Sequence, residues 1–129
     1  MLSINKVHHI AIICSDYQKS KTFYTEILGL TVVQEIFREE RQSYKLDLAL
    51  NGDYIIELFS FQNPPKRVSG PEACGLRHLA FEVNNIQETR DYFVQKNIFA
   101  EEIRIDEHTK KGFFFIADPD DLPVEFYEK

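Results

Sequence analysis

The sequence of 129 residues predicts an α+β fold built from two tandem βαβββ modules. Nearly the same strand occurs twice, as "KVHHIAIIC" at Lys6–Cys14 and "GLRHLAFEV" at Gly75–Val83. A helical pattern and three more strand patterns follow each copy in the same order. A stretch rich in proline and glycine, Ser60–Gly75, separates two halves of similar length. We therefore predict one domain spanning residues 1–129, with module one at about 5–61, a linker at about 62–75 and module two at about 76–128.

Module one begins with the strand "VHHIAIIC", and the helix "DYQKSKTFYTEILGL" follows it. Asp16 is a candidate N-cap, because its carboxylate can accept from the first free backbone N–H groups. Gly29 is expected to end the helix, since glycine tolerates positive φ. Three strands come next, "TVVQEIF", "YKLDLAL" and "YIIELFSF". The turn "NGD" at Asn51–Asp53 predicts a hairpin between the last two.

Module two repeats this order with the strand "LRHLAFEV" and the helix "NNIQETRDYFVQKN". Asn85 is the expected cap, and Glu88 lies at the capping-box position. The three later strands are predicted as "IFAEEIRI", "GFFFIAD" and "PVEFYE". We expect each module to form an antiparallel four-stranded sheet with one helix. Two such sheets are expected to bury their remaining apolar faces against each other.

A constant spacing supports the duplication. His9 and His78 lie 69 positions apart, and the pair Phe23–Tyr24 precedes Tyr92–Phe93 by the same 69 positions. An offset shared by a strand and a helix face is the signature of a repeated structural unit. We therefore expect two similar modules related by pseudo-twofold symmetry.

Composition excludes several classes of function. A net charge of −6 argues against nucleic acid or an anionic membrane surface as the main partner. The chain has no apolar run long enough for a transmembrane helix and no signal-peptide core, so we expect a cytoplasmic protein without a membrane partner. Cys14 and Cys74 are too few for a disulfide framework. Both are expected to be reduced and buried as small hydrophobic residues.

Each module places one histidine on its first strand and one glutamate within its last. Glu57 follows His9 by 48 positions, and Glu125 follows His78 by 47. A carboxylate in an apolar strand must be paired, protonated or bound to a metal, because desolvating the ion costs several kcal/mol. One divalent cation would satisfy all four groups. His9, Glu57, His78 and Glu125 are therefore candidate ligands, and this mixed set suits Ni²⁺, Co²⁺ or Zn²⁺, with Mn²⁺ or Fe²⁺ as alternatives.

Two further histidines are left out of this set. His8 is expected to face the opposite side of the strand from His9, because side chains alternate along a strand. His108 lies in the polar segment "DEHTKKG", which has no repeat partner, and is expected at the surface.

The segments "HHIAIICSDYQKSKTFYTEILGL", "GLRHLAFEV" and "DPDDLPVEF" resemble the vicinal oxygen chelate superfamily, which includes glyoxalase I. The resemblance extends from about Val7 to Tyr127 and is closest to small bacterial glyoxalase I-like and bleomycin resistance proteins. It implies a single glyoxalase-like domain whose paired modules curl into a half-open barrel around the metal. One departure is Asp121, where the family often has glycine. It is expected to change the turn without removing Glu125.

The resemblance also implies a reaction. A hemithioacetal, formed from a 2-oxoaldehyde and a thiol, would be converted to a 2-hydroxyacyl thioester through a metal-bound enediolate. Glu125 is the first candidate for the base and Glu57 the second, and Phe113 and Phe115 would form apolar walls. Arg38, Arg41, Lys66 and Arg67 are candidates, by charge alone, for binding the carboxylates of glutathione.

Alternatives remain open at this point. The chain could be another metalloenzyme of the superfamily, of epimerase or dioxygenase type, or a small-molecule binding or resistance protein without turnover. The full set of two histidines and two glutamates is similar to glyoxalase I. Small glyoxalase I proteins are homodimers whose sites are shared, which implies His9 and Glu57 from one chain with His78 and Glu125 from its partner. A site within one chain is the other possibility.

Overall fold

Two structural units, Met1–Lys66 and Arg67–Lys129, make up the chain. The computed structural model describes all 129 residues. Each unit contains one four-stranded sheet and one helical segment, in the predicted order β, α, β, β, β. The predicted α+β fold of two such modules is thereby confirmed. No helix of the chain combines the length and apolar character that crossing a bilayer requires.

The first unit has a sheet with the strand order β1-β4-β3-β2. The predicted hairpin is present, since Asn51 and Gly52 both adopt the positive φ of a tight two-residue turn. The elements are β1 (Ile10–Cys14), α1 (Tyr17–Thr22), β2 (Thr31–Arg38), β3 (Ser43–Leu50) and β4 (Asp53–Ser60).

The second unit repeats this topology with the strand order β5-β8-β7-β6. Its elements are β5 (Leu79–Val83), α2 (Ile86–Gln95), β6 (Arg104–Ile105), β7 (Gly112–Ala117) and β8 (Pro123–Glu128). The turn before β8 is held by Asp118, whose carboxylate accepts from the backbone N–H groups of Asp120 and Leu122. Asp121 in this turn adopts a φ of +65°, in the left-handed region that favours glycine.

The expectation of purely antiparallel sheets was wrong, because both sheets are mixed. β1 pairs with β4 in parallel, and β5 pairs with β8 in the same way. The helix after β1 carries the chain back along the length of the sheet, so β2 begins at the end where β1 began and runs in the same direction, although the two strands lie at opposite edges. Two hairpins then reverse the chain twice, and β4 must run parallel to β1.

The predicted strand at "IFAEEIRI" was also too long, since ladder pairing is confined to β6 at Arg104–Ile105. Arg90 of α2 donates to the carbonyl oxygens of Ala100 and Glu101 at 3.3 and 2.7 Å. These carbonyl groups are therefore bound by a side chain instead of a neighbouring strand, and the segment before β6 stays irregular.

Both predicted helix caps are confirmed. The carboxylate of Asp16 accepts from the N–H of Lys19 at 3.1 Å, and the side-chain oxygen of Asn85 accepts from Glu88 at 3.0 Å. Gly29 has a φ of +80° after the first helical segment, as expected of a residue that ends a helix.

One extra residue distinguishes the two helical segments. In the first unit, α1 continues into a π-helical turn at Phe23–Ile27, and Leu30 N–H donates to Tyr24 six positions earlier. In the second unit, Ile98 N–H donates to Phe93 five positions earlier. The repeat offset therefore falls from 69 to 68 within the π turn. This accounts for the spacing of 48 positions in one His–Glu pair and 47 in the other.

The helices cover one face of each sheet, and the side chains between helix and sheet form the core. In the second unit Phe93 of α2 packs on Phe114 and Phe126, all of them buried. Cys14 is buried as expected, but Cys74 is exposed because it lies in the irregular segment before β5. The opposite face of each sheet carries the predicted polar residues.

Candidate metal centre

In the first unit, the parallel pairing of β1 with β4 brings His9 to Glu57. Ala11 is the register partner of Glu57, and His9 lies two residues before Ala11, just ahead of the first residue of β1. The ring nitrogen Nε2 of His9 lies 3.6 Å from Oε1 of Glu57. The Glu57 side chain is 16% exposed, so its carboxylate is largely withdrawn from water.

The second unit repeats this arrangement. Ala80 of β5 is the register partner of Glu125 on β8, and His78 lies two residues before Ala80. Nε2 of His78 lies 3.1 Å from Oε2 of Glu125, whose side chain is 13% exposed. Each predicted histidine is thus next to the predicted glutamate of its own module. No group of three or more His, Cys, Asp and Glu side chains suited to a metal ion is present.

The surroundings of Glu57 are polar. Oε2 of Glu57 lies 3.4 Å from the ammonium of Lys45 and 3.4 Å from the hydroxyl of Tyr54. Lys45 binds Asp47 more closely, at 2.8 Å to each carboxylate oxygen, and the Tyr54 hydroxyl donates to Asp47 at 3.0 Å. The Tyr54 ring also stacks on His9, with ring centroids 5.1 Å apart. We call Lys45, Asp47 and Tyr54 the polar cluster.

Two members of the polar cluster have raised pKa values. The hydrogen bond from Lys45 to Asp47 raises the pKa of Lys45, and Glu57 raises it further, so the ammonium form is stabilised. Burial, followed by the hydrogen bond to Asp47, raises the pKa of the Tyr54 hydroxyl. Near neutral pH Lys45 is therefore a cation and Tyr54 a neutral hydrogen-bond donor.

The expected position of His8 was wrong. Its Nδ1 lies 2.8 Å from Nδ1 of His9, and its ring meets the Tyr54 ring edge-on with centroids 5.4 Å apart. β1 starts only at Ile10, so the alternation of a strand does not apply to His8 and His9. His108 is exposed in the turn before β7, as predicted.

The surroundings of Glu125 are apolar by comparison. Phe115 is the register partner of Glu125 on β7, and its ring contacts the His78 ring edge-on at 5.0 Å. Phe113 lies two residues earlier on the same face and stacks on Tyr127. The predicted walls Phe113 and Phe115 therefore flank the His78–Glu125 pair. Nδ1 of His78 is buried without a hydrogen-bond partner.

The cations predicted by charge have different environments. The guanidinium of Arg38 lies 4.7 Å from the centre of the Phe59 ring, and Phe59 shares the face of Glu57. Arg41 is exposed in a short 3₁₀ turn, and Lys66 is exposed after β4. Arg67 donates to the carbonyl groups of Leu76 and Arg77 and so fixes the loop before β5.

Sequence reasoning missed the polar cluster and Arg104. The guanidinium of Arg104 lies 4.9 Å from the centre of the Phe113 ring and 5.8 Å from that of Phe115. The cluster had a signal in the sequence, since Lys45 and Asp47 alternate with the apolar residues Leu46 and Leu48. That alternation places both on the face opposite the core. Arg104 is the register partner of Phe113 on β7, and a single sequence does not fix that register.

A family model described as "Glyoxalase/Bleomycin resistance protein/Dioxygenase superfamily" matches residues 6–126. The chain belongs to this superfamily. Among the members of the glyoxalase superfamily similar to it, "Uncharacterized protein YaeR" of Escherichia coli (strain K12) is 56% identical over all of both chains. "Uncharacterized protein YwkD" of Bacillus subtilis (strain 168) is 57% identical over 98% of each. The "Lactoylglutathione lyase" of Schizosaccharomyces pombe is 26% identical over 96% of this chain and 47% of its own length.

Solved structures of the glyoxalase superfamily support the fold. The glyoxalase family protein from Enterococcus faecalis has a TM-score of 0.88 at 44% identity, covering 95% of this chain and 97% of its own. A mutant of the fosfomycin resistance protein FosX from Listeria monocytogenes, complexed with Mn(II), has a TM-score of 0.75. It covers 98% of this chain and 94% of its own at 15% identity, a likeness of fold alone.

The donor atoms of the two His–Glu pairs fit a divalent ion of the kind that this superfamily binds. Each pair presents one imidazole nitrogen and one carboxylate, which are donor types that divalent transition-metal ions accept. Both glutamates are mostly buried, so they benefit from a cation. The unpartnered Nδ1 of His78 shows that the chain alone does not satisfy this imidazole.

Proposed function

We propose that this member of the glyoxalase superfamily is a metal-dependent lyase of the glyoxalase I type. Its substrate would be the hemithioacetal of a 2-oxoaldehyde and a thiol, and its product a 2-hydroxyacyl thioester. The observation that carries the proposal is the repeated His–Glu pair, which occupies the same place on the first and last strands of both units. A single such pair is common in proteins, but two equivalent and mostly buried pairs require a shared explanation.

In this proposal His9, Glu57, His78 and Glu125 are the four ligands of one divalent ion. Two pairs from two chains of a homodimer would give two sites per dimer. When bound, the ion supplies Lewis-acid polarisation of the two neighbouring oxygens of the substrate. Ni²⁺, Co²⁺ and Zn²⁺ are the ions that this set of nitrogen and oxygen donors favours.

The difference between the two glutamates supports Glu125 as the base. Glu57 lies within 3.4 Å of Lys45 and Tyr54, which restrain its carboxylate. Glu125 has His78 as its polar neighbour and the Phe115 ring as its register partner. A carboxylate that neither an ammonium nor a hydroxyl group holds is freer to move to a substrate proton than one held by two donors.

The proposed step is a proton transfer that leaves the substrate's composition unchanged. Glu125 removes the proton from the carbon that carries sulfur and hydroxyl, and it returns that proton to the neighbouring carbonyl carbon. The hydroxyl proton passes from its own oxygen to the neighbouring carbonyl oxygen, so that the former hydroxyl becomes the thioester carbonyl and the former carbonyl becomes the hydroxyl. Phe113 and Phe115 exclude water from this transfer, which protects the proton on Glu125 from exchange.

Two comparisons support the proposal. The fission yeast relative is a lactoylglutathione lyase, although this chain spans about half of its length. The FosX mutant with Mn(II) shares the fold and holds a divalent ion. The superfamily description also includes resistance proteins and dioxygenases, so the reaction must be measured.

The test combines metal content with turnover. The protein is purified without chelator, and its metal is measured by mass spectrometry. Turnover of the methylglyoxal–glutathione adduct is then assayed after reloading with Ni²⁺, Co²⁺ and Zn²⁺ in turn. We expect about one metal per chain, and Glu125→Gln should lower turnover by a factor of about 10²–10⁴. Glu82→Gln is the matched control, because Glu82 is an exposed carboxylate on the strand next to β8.

The outcomes separate the parts of the proposal. Metal without turnover of this adduct would retain the metal site and reject the glyoxalase reaction. Absence of metal under all loading conditions would reject the metal site itself. An equal loss of turnover in Glu82→Gln and Glu125→Gln would reject Glu125 as the base.

A further inference from the structure

Asp47 is a buried carboxylate on the same sheet face as Glu57. It is the register partner of Glu57 across β3 and β4, and the residue is 7% exposed. Its oxygens accept from Lys45 at 2.8 Å and 2.8 Å and from Tyr54 at 3.0 Å. The same two donors lie 3.4 Å from Glu57. Asp47 therefore holds both donors more closely than Glu57 does.

The second unit has no such arrangement. Phe115 is the register partner of Glu125, where Asp47 is the partner of Glu57. At the position equivalent to Lys45, which pairs with Phe59 in the first unit, the second unit has Phe113, which pairs with Tyr127. The unit without a lysine beside its glutamate thus also lacks the aspartate. This correspondence indicates that Asp47 is needed because Lys45 is present.

We propose that Asp47 is a positioning residue that holds the Lys45 ammonium closer to itself, at 2.8 Å, than to Glu57, at 3.4 Å, so that the Glu57 carboxylate stays available to a divalent cation. The inference rests on the proposed metal site. An ammonium and a metal ion compete for the same carboxylate oxygens. The closer Lys45 lies to Glu57, the more it offsets the negative charge that attracts the metal ion. The carboxylate of Asp47 offsets the charge of the Lys45 ammonium, so the negative charge of Glu57 remains available to attract the metal ion.

Loss of the Asp47 charge would reverse this balance. A charge-assisted N–H···O contact is normally about 2.7–2.9 Å long, so Lys45 would need to move less than about 1 Å to bind Glu57 directly. Asp47→Asn keeps the size of the side chain and its acceptor oxygen for Tyr54 while it removes the charge. Lys45 would then compete with the metal for Glu57.

The experiment measures the affinity of the full-length metal-free protein for Ni²⁺ by titration calorimetry. We expect Asp47→Asn to weaken Ni²⁺ binding by about 10-fold to 100-fold, the usual effect of losing a partner that orients a metal ligand. The double variant Asp47→Asn with Lys45→Met lacks the competing ammonium. It is expected to bind Ni²⁺ within about threefold of the wild type, a recovery that a purely structural defect would not produce.

Glu35→Gln is the matched control. Glu35 also binds one lysine ammonium, Lys21 at 2.7 Å, and one tyrosine hydroxyl, that of Tyr17. It lies outside the His–Glu pair, so its loss is expected to lower the stability of the fold and to leave the Ni²⁺ affinity unchanged. Unfolding by urea, measured in parallel, checks that each variant is folded.

Each outcome has a defined meaning. Unchanged affinity in Asp47→Asn, or equal weakness in the single and double variants, would overturn the role of Asp47 while the metal site remains. Absence of Ni²⁺ binding by the wild type would overturn the proposed function and this inference with it. If Asp47→Asn does not fold, Lys45→Met alone serves as the test. A tenfold loss of affinity in that variant would show that Lys45 supports Glu57, which contradicts the inference.

Discussion

The site face of the second unit carries a cation that is held by aromatic rings. Arg104 lies over Phe113 and Phe115, and Phe115 contacts the ring of His78. Stacking on aromatic rings restricts the guanidinium and lowers the entropy that it loses on binding an anion. Its ion pair with Glu101, at 3.5 Å, is long and exposed and contributes little. Arg104, like Arg38 over Phe59, is therefore a candidate for binding a substrate carboxylate.

This gives a prediction for substrate binding. Arg104→Met keeps an apolar side chain on the two phenylalanine rings and removes the charge. We expect the KM for the methylglyoxal–glutathione adduct to rise about 3-fold to 10-fold with kcat nearly unchanged, because the lost contact is equally strong in ground and transition states. Arg41→Met, at an exposed arginine of the first unit, is the control. A rise of KM in both variants would point to general charge attraction.

The sequence predicted some residues of the candidate site and not others. His9, Glu57, His78 and Glu125 were predicted because the repeat marks equivalent positions, and the structure brings each histidine next to the glutamate of its own unit. Lys45 and Asp47 were not found, although alternation assigns them to the same face. Recognising them also requires the register of β3 with β4, which fixes Asp47 opposite Glu57. Register depends on turn geometry and tertiary packing, and a single sequence leaves it open.

Among the elements, α1 is connected to β2 by side-chain hydrogen bonds to one carboxylate. Lys21 and Tyr17 of α1 both bind the carboxylate of Glu35 on β2. The hydrogen bond from Lys21, followed by that from Tyr17, lowers the pKa of Glu35 below its ordinary value of 4.5. The ionised carboxylate therefore stabilises the folded state above that pH.

The pH dependence follows from the sign of this shift. Because the folded-state pKa is lower than the unfolded one, the stabilisation is present above about pH 4.5 and is lost as the pH falls through the folded-state value. We expect the wild type to lose more stability than Glu35→Gln between pH 5 and pH 3. Urea unfolding at several pH values measures this. Parallel curves for the two proteins would show that the contact adds nothing.

The cap of α2 provides a prediction for one helix. The Asn85 side chain accepts from the N–H of Glu88, so Asn85→Ala leaves a backbone donor without its partner. We expect the free energy of unfolding to fall by about 1 kcal/mol, as is typical for loss of an N-cap. Asn84→Ala, one residue earlier, is the control, and its unfolding midpoint in urea should stay close to that of the wild type.

Strand direction and strand length were predicted unequally well. The element order strand, helix and three strands predicts that β1 and β4 run in the same direction. Their pairing is therefore parallel once the two strands are neighbours in the sheet. The shortness of β6 was not predicted, since it depends on Arg90 binding two carbonyl groups about ten positions away. Local pattern identifies an element, but long-range side-chain contacts decide where it stops.

For the whole molecule, each unit contributes one His–Glu pair, and the proposed ion needs both pairs. His9→Ala and His78→Ala are therefore each expected to abolish high-affinity Ni²⁺ binding, whereas two independent sites would each leave half of the bound metal. Equilibrium dialysis of Ni²⁺ against each purified variant measures the stoichiometry. Retention of about half the metal in either variant would contradict a single four-ligand site.

Complementation distinguishes a shared site from one within a chain. In the proposed homodimer, co-expression of His9→Ala chains with His78→Ala chains would give mixed dimers with one intact pair of each kind. If the site is shared, each mixed dimer regains one of its two sites. Random pairing should then restore about a quarter of the wild-type Ni²⁺ content. No recovery would place both pairs of a site in the same chain.

The π turn at Phe23–Ile27 makes the two halves unequal by one residue. A chimaera that joins part of one half to part of the other therefore cannot use one residue offset for every junction. A join before the turn would use an offset of 69 and a join after it an offset of 68. A join made with the wrong offset would move every later strand by one residue and turn Glu57 or Glu125 towards the hydrophobic core. The extra residue therefore sets where the two halves can be recombined.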